Sequence, residues 1–342
     1  MSASVSVIVV NWNGRHHLEL CLPSLLAQTY PNFEIIVVDN GSTDESVAFV
    51  QAHFPSVRLI SLTQNLGFAS GNNIGIRASE ADYVATVNND TKVDPNWLTA
   101  LVETAESDPA IGMCAAKLLF WDRPNMINSA GICVDRAGIA WDRLGGQPNN
   151  AIPQTDPTPV FGPSGGAALY RRAMLAKIGL FDEDFFAYLE DVDLAWRARL
   201  AGWRCLYVDT AVIFHRHSAT AIEGSPFKNR LLGRNKIWTM FKNCPWQLLL
   251  LYLPAFLFYD LGSITVALLT RRDTTPLHGR LQALMKLSLI WQKRQKIQRN
   301  RQISLKEMHT LLEPVTTPRK VWQRYRHLYV ANRQASLKKQ HN

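Results

Sequence analysis

Short apolar runs alternate with amphipathic stretches over the first hundred residues of the chain. The apolar runs, such as Val-Ser-Val-Ile-Val-Val from Val5, are nearly continuous in valine and isoleucine, which is typical of strands buried on both faces. A rhythm of strand, helix and strand favours an α/β fold with an open, mostly parallel sheet. The pattern predicts strands at 5–10, 34–38 and 58–62, and helices at 17–27 and 45–53.

The middle of the chain has a less regular pattern. Many Pro, Gly and Asn residues predict irregular structure over 119–163. A tight turn at 162–166 then leads into a predicted strand, followed by a helix at 171–178, a helix carrying residues 190–197, and a strand at 204–208 that leads to His215. Asp94, which precedes Pro95, is the predicted N-cap of another helix.

The longest apolar stretch covers 246–270 and is interrupted by Pro254 and Asp260. Its length permits a membrane crossing, although a carboxylate makes a lipid-exposed span unfavourable. A predicted helical apolar face at 281–291 is followed closely by Lys and Arg residues, as in an interfacial amphipathic helix. A buried helix pair that covers the rest of the protein is the alternative. The predicted domains are 1–240 and a helical, basic, membrane-associating region at 241–342.

Charge is also unevenly distributed along the chain. Residues 271–342 contain 17 Lys and Arg against 3 Asp and Glu, whereas residues 1–270 contain 20 against 25. Such a basic extension binds polyanions, of which anionic lipid headgroups and nucleic-acid phosphates are the common ones. The five cysteines form no Cys-x-x-Cys pair and the N-terminus lacks a secretory pattern, so a reducing compartment is expected.

Polar residues follow the predicted strands at the points where they end. These are Asn11, Trp12 and Asn13, then Asp39, then Asn88 with Asp90. Ligands of open parallel sheets bind outside the carboxyl ends of the strands, so these residues are expected to line one crevice. A Gly/Asn-rich segment at 64–75, which includes Gly67 and Asn72 and feeds a helix, suits a pyrophosphate.

The carboxylates of the chain suggest metal and acid–base chemistry. Asp90 suits Mg²⁺ or Mn²⁺, and His215 is a candidate further ligand. Such a cation neutralises the charge on a departing diphosphate. Asp193 and Arg197 are expected to pair along a helix, which leaves Asp191 as the free carboxylate and candidate general base. The adjacent Glu190 is expected to move its proton affinity towards neutral pH.

Six segments in order resemble the motifs of family 2 glycosyltransferases with the GT-A fold, and most of all the rhamnosyltransferase-like branch. They include Val-Val-Asp-Asn-Gly-Ser-Thr-Asp at 37–44, Asn-Asn-Asp at 88–90 and Glu-Asp-Val-Asp-Leu-Ala-Trp-Arg at 190–197. The remaining three segments are 5–13, 65–75 and 162–166. The resemblance covers about residues 3–240.

The resemblance implies an inverting transfer of a sugar, with rhamnose as the family-level expectation, from a nucleoside diphosphate to a hydroxyl of a cell-surface glycan or lipid-linked acceptor. It implies that Asp191, beside Glu190, is the catalytic base and that Asp90 and His215 hold the metal, with Asn88 standing where many members carry an Asp. It gives the nucleobase and ribose to Asn11, Trp12 and Asp39. Together with the other strand-end and Gly/Asn-rich residues, the candidate nucleotide-binding residues are Asn11, Trp12, Asn13, Asp39, Gly67, Asn72 and Asn88.

The expected location is the cytoplasmic face of the cell membrane, peripheral or with one to two embedded segments, on an anionic lipid surface. A nucleic-acid-binding protein that acts through its basic extension is a competing hypothesis, but the extension contains no recognisable module, so no nucleic-acid partner is expected. A sugar nucleotidyltransferase is another, and it usually needs a Gly-rich loop with Arg and Lys after the first strand. Only Arg15 is present there. A dehydrogenase would need Gly-x-Gly-x-x-Gly, which is absent.

Overall fold

The computed structural model describes residues 2–151, 157–216 and 225–324. The chain divides into two compact units. The first is formed from Met1–Cys133, Trp141–His217 and Lys296–Ile303, and the second from Val134–Ala140, Ser218–Gln295 and Ser304–Asn342. The predicted functional division into 1–240 and 241–342 stays a prediction, and residues 325–342 of the basic extension lie outside the described residues.

The first unit contains a large mixed sheet. The strands are β1 (Val5–Asn11), β2 (Phe33–Asp39), β3 (Arg58–Ser61), β4 (Tyr83–Asn88), β5 (Thr91–Val93), β6 (Ile111–Phe120), β7 (Arg123–Ser129), β8 (Ile132–Val134), β9 (Ala140–Asp142), β10 (Thr158–Pro159), β11 (Ala167–Arg171) and β12 (Arg204–His215). Along the sheet the order is β10-β12-β6-β11-β4-β1-β2-β3, with β5 paired to β12 and β7 to β6. β8 and β9 form a separate pair.

The helices follow the predicted alternation. They are α1 (Arg15–Leu26), α2 (Ser46–His53), α3 (Phe68–Arg77), α4 (Trp97–Glu106), α5 (Arg172–Ile178), α6 (Glu190–Leu200), α7 (Pro226–Asn243), α8 (Trp246–Arg271), α9 (Thr275–Met285), α10 (Leu287–Arg299) and α11 (Leu305–Leu311). Short 3₁₀ turns lie at Asn149–Ala151 and Glu183–Phe185. The predicted α/β class with a helical C-terminal region is confirmed.

The register of the parallel strands places the polar strand ends at one edge of the sheet. β1 pairs parallel with both β2 and β4, so that Asn11 lies opposite Asp39 and Val10 opposite Asn88. The apolar residues behind them, including Val7, Val9 and Val37, are fully buried. Burial of the strands on both faces fixes this register, because a slip by one residue would turn every side chain to the other face.

The predicted irregular structure over 119–163 is wrong. β6 continues to Phe120, β7 returns antiparallel beside it, and β8 to β10 follow. β12 then pairs parallel with β6 along most of its length. The composition did not predict these strands, because pairing with β6 and β12 overrides the weak local strand propensity of this segment.

Two helix boundaries also differ from the predictions. α4 begins at Trp97 after an Asn96 cap, and the Asp94 side chain instead accepts the Asn96 amide at 3.0 Å in a turn. The apolar face predicted at 281–291 is divided between α9 and α10, with the break at Lys286. Both errors arise because short side-chain patterns fix the presence of a helix better than its ends.

Candidate active site

A network of amide and carboxylate groups joins the ends of β1, β2 and β4. The fully buried Asn11 donates from Nδ2 to Asp39 Oδ2 at 3.0 Å, and its Oδ1 accepts from Asn89 Nδ2 at 2.7 Å. Asp39 Oδ1 accepts the Ser42 amide at 2.9 Å. Both carboxylate oxygens of Asp39 are therefore engaged inside the protein, and its side chain fixes the geometry of the loop that follows β2.

The residues after β1 present a more open surface. Asn13 adopts a positive φ of 50°, and its Oδ1 accepts the Thr43 amide at 2.8 Å while its own amide donates to Ser42 Oγ at 2.8 Å. Trp12, between these anchored neighbours, is 43% exposed. The indole is thus held at the sheet edge with its surface available for stacking on a planar ligand.

The Gly/Asn-rich segment is fixed mainly by its own contacts. Gly67 has φ +88°, and a Cβ there would lie 2.6 Å from Phe186, so only glycine fits. Its amide donates to Asn65 Oδ1 at 2.8 Å. Asn72 donates to the Phe68 carbonyl within α3 at 2.9 Å. The structure gives Gly67 and Asn72 these structural roles, and their predicted contacts with a nucleotide remain predictions.

Asp90 and His215 are brought together by the pairing of β5 with β12. His215, the last residue of β12, lies opposite Thr91, and its Nε2 is 3.3 Å from Asp90 Oδ1. The Asp90 and His215 side chains are 7% and 11% exposed. His215 Nδ1 is 2.7 Å from Asn128 Oδ1 on β7, a contact that orients the imidazole so that Nε2 faces the strand ends.

The protonation of this pair is set by opposing effects. Burial favours a raised pKa for Asp90, but the charge and hydrogen bond of His215, with help from His17, outweigh it and hold the pKa of Asp90 below its ordinary value. Burial likewise opposes the charged form of His215, yet the charge and hydrogen bond of Asp90 raise the His215 pKa. Each side chain therefore favours the charged form of the other.

Asp90 and His215 are residue types that bind divalent cations, the histidine through Nε2 once that nitrogen has lost its proton. Within the described residues, no group of three or more His, Cys, Asp or Glu is placed to hold a metal. Magnesium-type sites commonly use one or two protein ligands and complete the shell with phosphate oxygens and water. The arrangement fits an ion that binds together with a phosphorylated ligand.

Asp191 lies in the first turn of α6, directly against the turn before β11. Its Oδ2 accepts the Gly165 amide at 2.8 Å and its Oδ1 accepts the Val192 amide at 2.7 Å. The expected pairing of Asp193 with Arg197 is present at 2.9 Å. Asp191 stays outside that pair and forms no ion pair within the described residues. Two backbone amides fix its orientation.

Burial raises the pKa of Asp191, against the effect of the backbone amides that donate to it. The adjacent Glu190 is 5% exposed, and its Oε2 has no hydrogen-bond partner among the residues that the structure describes. Burial, followed by the charges of Asp191 and Asp193, raises the pKa of Glu190 well above the usual range. Glu190 is therefore protonated at pH values where an ordinary Glu is ionised, as expected from two adjacent carboxyl groups.

The raised pKa of Glu190 predicts a pH-dependent gain in stability for Glu190→Gln. Because native Glu190 holds its proton to higher pH than unfolded Glu, with a pKa of about 4.3, the wild-type protein loses stability as pH rises from about 4 through the native pKa. Gln does not titrate, so the difference in unfolding free energy should grow by at most about 1.4 kcal/mol per pH unit. Urea denaturation at several pH values measures it, and parallel wild-type and variant curves would contradict the expectation.

One continuous series of contacts connects the three carboxylates singled out in the sequence. Asp39 contacts Asn11, which contacts Asn89, the residue before Asp90. Asn88 Nδ2 lies 3.5 Å from His215 Nε2. The backbone amide of Asn88 donates to the Gly166 carbonyl at 3.0 Å. Gly165, next in the chain, donates to Asp191. The structure thus places Asp39, Asp90 and Asp191 around the same edge of the sheet.

Several residues of this edge were not predicted. Asn89 lies within the Asn-Asn-Asp segment at 88–90, and its position beside Asp90 is the sequence feature that could have identified it. Gly165 lies in the turn at 162–166, where Gly162 faces Ala195 of α6 so closely that an added Cβ would meet it at 2.4 Å. Asn128 had no local signal, because its contact with His215 depends on the pairing of β7 with β6.

Comparison with known proteins agrees with this geometry. The family model for glycosyl transferase family 2 matches residues 6–179. N-acetylglucosaminyl-diphospho-decaprenol L-rhamnosyltransferase of Mycobacterium tuberculosis is 30% identical over 248 residues, which cover 66% of this chain and 80% of the relative.

Two solved structures share the fold. Staphylococcus aureus TarS 1-349 in complex with UDP has a TM-score of 0.54 at 18% identity, over 87% of this chain and 88% of that one. GalNAc-T7 with UDP, GalNAc and Mn²⁺ has a TM-score of 0.54 at 16% identity, over 76% of this chain and 57% of that one. The predicted family and GT-A fold are confirmed, and glycosyl transfer replaces the nucleotidyltransferase alternative. The chain therefore belongs to family 2 of the glycosyltransferases and is a glycosyltransferase.

Proposed function

We propose that the protein moves a sugar, with inversion, from a nucleoside-diphosphate donor to a hydroxyl of a glycan or lipid-linked acceptor. The observation that carries this proposal is the series of contacts that joins Asp39, Asp90 and Asp191 at one sheet edge. A donor bound there has its nucleoside towards β1 and β2, its diphosphate towards Asp90, and its sugar towards Asp191.

The nucleoside end of the donor would be held by Asn11, Trp12, Asn13 and Asp39. The exposed indole of Trp12 offers a face for stacking, and the anchored loops of Asn13 and Asp39 keep it in place. Asn88, at the end of β4, lies on the path from the nucleoside to the diphosphate.

Asp90 and His215 would hold Mn²⁺ or Mg²⁺. A divalent cation there supplies counter-charge for the diphosphate leaving group. The fold neighbour GalNAc-T7 was solved with UDP, GalNAc and Mn²⁺, which supports Mn²⁺ as the first ion to test.

Asp191 would act as the general base. The acceptor oxygen forms a bond to the anomeric carbon as the bond from that carbon to the diphosphate oxygen breaks, and the acceptor proton passes to Asp191. The raised pKa of Asp191 suits proton transfer near neutral pH. Because Glu190 is protonated, it adds no second negative charge beside Asp191. A single displacement of this kind inverts the anomeric configuration.

The named relative supports rhamnose as the sugar and a lipid-linked diphosphate sugar as the acceptor. The cytoplasmic face of the cell membrane is the proposed location. Within the described residues one helix, Trp246–Arg271, is long and apolar enough to cross a membrane, and the basic extension fits an anionic lipid surface.

A panel of nucleotide sugars, assayed with Mn²⁺ or Mg²⁺, tests the proposed reaction. We expect release of nucleoside diphosphate from one donor, thymidine-diphosphate rhamnose being the first candidate, and a product whose anomeric configuration, read by NMR, is opposite to that of the donor. Absence of release from every donor, or retained configuration in the product, would contradict the proposal.

Gly165→Ala is expected to lower activity without unfolding the protein. The added Cβ would lie 3.2 Å from Asp191 Oδ2 and 3.4 Å from its Cβ, so the base must shift by a few tenths of an ångström. Small displacements of a catalytic group are costly, and we expect kcat/KM to fall about three- to tenfold. Gly262→Ala is the control, since its added methyl meets nothing within 4 Å. Equal activities of the two variants would refute the assignment.

A further inference from the structure

Helix α8 has two different faces. The buried side chains recur at helical spacing and form one stripe: Leu248, Leu249, Tyr252, Phe256, Asp260 and Ala267. The opposite side is a continuous apolar surface, called here the leucine face, whose side chains are between 44% and 79% exposed. It comprises Leu250, Leu251, Leu257, Phe258, Leu261 and Leu269.

The buried stripe is held by polar contacts over the segment between Tyr252 and Asp260. Near the start, the Tyr252 hydroxyl is 2.5 Å from His309 Nδ1. In the middle, both oxygens of Asp260 accept from Arg280, at 3.0 and 2.8 Å, and Lys236 Nζ lies 3.8 Å from the same carboxylate. After Asp260 one further side chain of α8, Ala267, is buried. Protein therefore covers one side of α8 from Leu249 to Asp260 and again at Ala267.

This packing does not suit a helix that crosses a bilayer. From Leu249 to Ala267 the helix rises about 27 Å, close to the hydrocarbon thickness of about 30 Å. If α8 crossed, the polar groups packed along it would have to enter the hydrocarbon, including Lys236 with its neighbours on α7 and His309 on α11. Polar helices of this kind are excluded from lipid unless they line a cavity.

Helix α9 also presents an exposed apolar surface. Leu277, Leu281, Leu284 and Met285 recur at helical spacing and are 37% to 83% exposed. Basic residues border this surface, with Arg271 and Arg272 at the end of α8 and Lys286 after α9, all exposed. Residues 271–342 carry 17 Lys and Arg against 3 acidic residues. An apolar face with a basic border matches an anionic lipid surface.

We infer that α8 lies flat in one leaflet of an anionic membrane, with the leucine face among the acyl chains and both helix ends on the same side. The inference rests on the proposed membrane association and goes beyond it, because it fixes the topology. The buried charges around Asp260 then stay within protein, and the bilayer covers only the side that protein leaves bare.

Vesicle sedimentation tests the contact itself. With the full chain and vesicles of phosphatidylglycerol and phosphatidylcholine, Leu251→Asp should weaken partitioning at least roughly tenfold, since a leucine loses its place in the acyl layer. Gln51→Asp on α2, which adds the same charge to an exposed site, should bind as the wild type does. Equal binding of both variants would show that the leucine face does not contact the membrane and would overturn the inference. If wild type fails to bind vesicles, the proposed membrane association fails as well.

Cysteine labelling tests the topology. Gln247→Cys and Arg272→Cys mark the exposed start and end of α8, in a Cys133→Ser background because the other native cysteines are buried. An impermeant maleimide should label both positions in inverted membrane vesicles and neither in intact host cells. Labelling of one position from each side would show a crossing helix and overturn the inference. Dimerisation without membrane binding, seen by light scattering, would show that a second copy covers the leucine face and would overturn it too.

Discussion

Replacement of Asp191 by Asn is expected to lower kcat of sugar transfer by about 10²- to 10⁴-fold, the usual contribution of a general base. Asn has nearly the same shape, and its carbonyl oxygen can still accept the Gly165 amide. Fold and donor binding should therefore survive. Rates of nucleoside diphosphate release, measured at saturating donor and acceptor, give the effect directly.

The pH profile separates this role from a merely structural one. Asp191 must be ionised to accept a proton, and burial raises its pKa. Wild-type kcat/KM should accordingly fall with acid at a pH above about 3.9, the ordinary Asp value, while the residual rate of Asp191→Asn should lack that limb. Glu103→Gln, on the exposed side of α4, is the matched control. An Asn variant with wild-type turnover would remove Asp191 from the mechanism.

Replacement of Asp90 by Ala is expected to reduce metal-dependent transfer by about 10²- to 10³-fold, comparable to the loss of a group that stabilises transition-state charge. Of the two proposed protein ligands, only His215 would then remain. Within the described residues, no group of three or more His, Cys, Asp or Glu could hold the ion instead. The protein should bind Mn²⁺ much more tightly with a nucleoside diphosphate than without it, and the Asp90→Ala variant should lose this synergy.

Asp122→Ala provides the comparison, because Asp122 lies on the β6–β7 turn with its side chain 65% exposed. Its activity and Mn²⁺ binding, followed by electron paramagnetic resonance, should match those of the wild type. If Asp90→Ala retains full Mn²⁺-dependent activity, the cation binds elsewhere.

The strand ends could be located from the sequence because buried parallel strands carry a strong apolar signal. That signal places Asp39 and Asn88 at the same edge, and their register in the structure agrees. The six ordered motifs relate Asp191 to the same site as Asp39. Hydrophobic periodicity could not, because the two residues are far apart in the chain.

Contacts made by tertiary pairing could not be found in this way. Asn128 orients His215 only because β7 folds back on β6, in a segment whose composition predicted no strands. The Gly165 amide that fixes Asp191 is a backbone group and leaves no trace in a side-chain pattern. Asp94 had the residue type of a helix cap, yet the chain placed the cap two residues later.

The contact between Asp90 and His215 also determines how the sheet edge behaves between turnovers. Two carboxylates that share a metal site repel each other whenever the ion leaves, and the loops that carry them then separate. A carboxylate beside an imidazole attracts it instead. The proposed cation site would therefore keep its arrangement between turnovers, so that an ion could enter with each donor and leave with each spent diphosphate without a rearrangement of the strands.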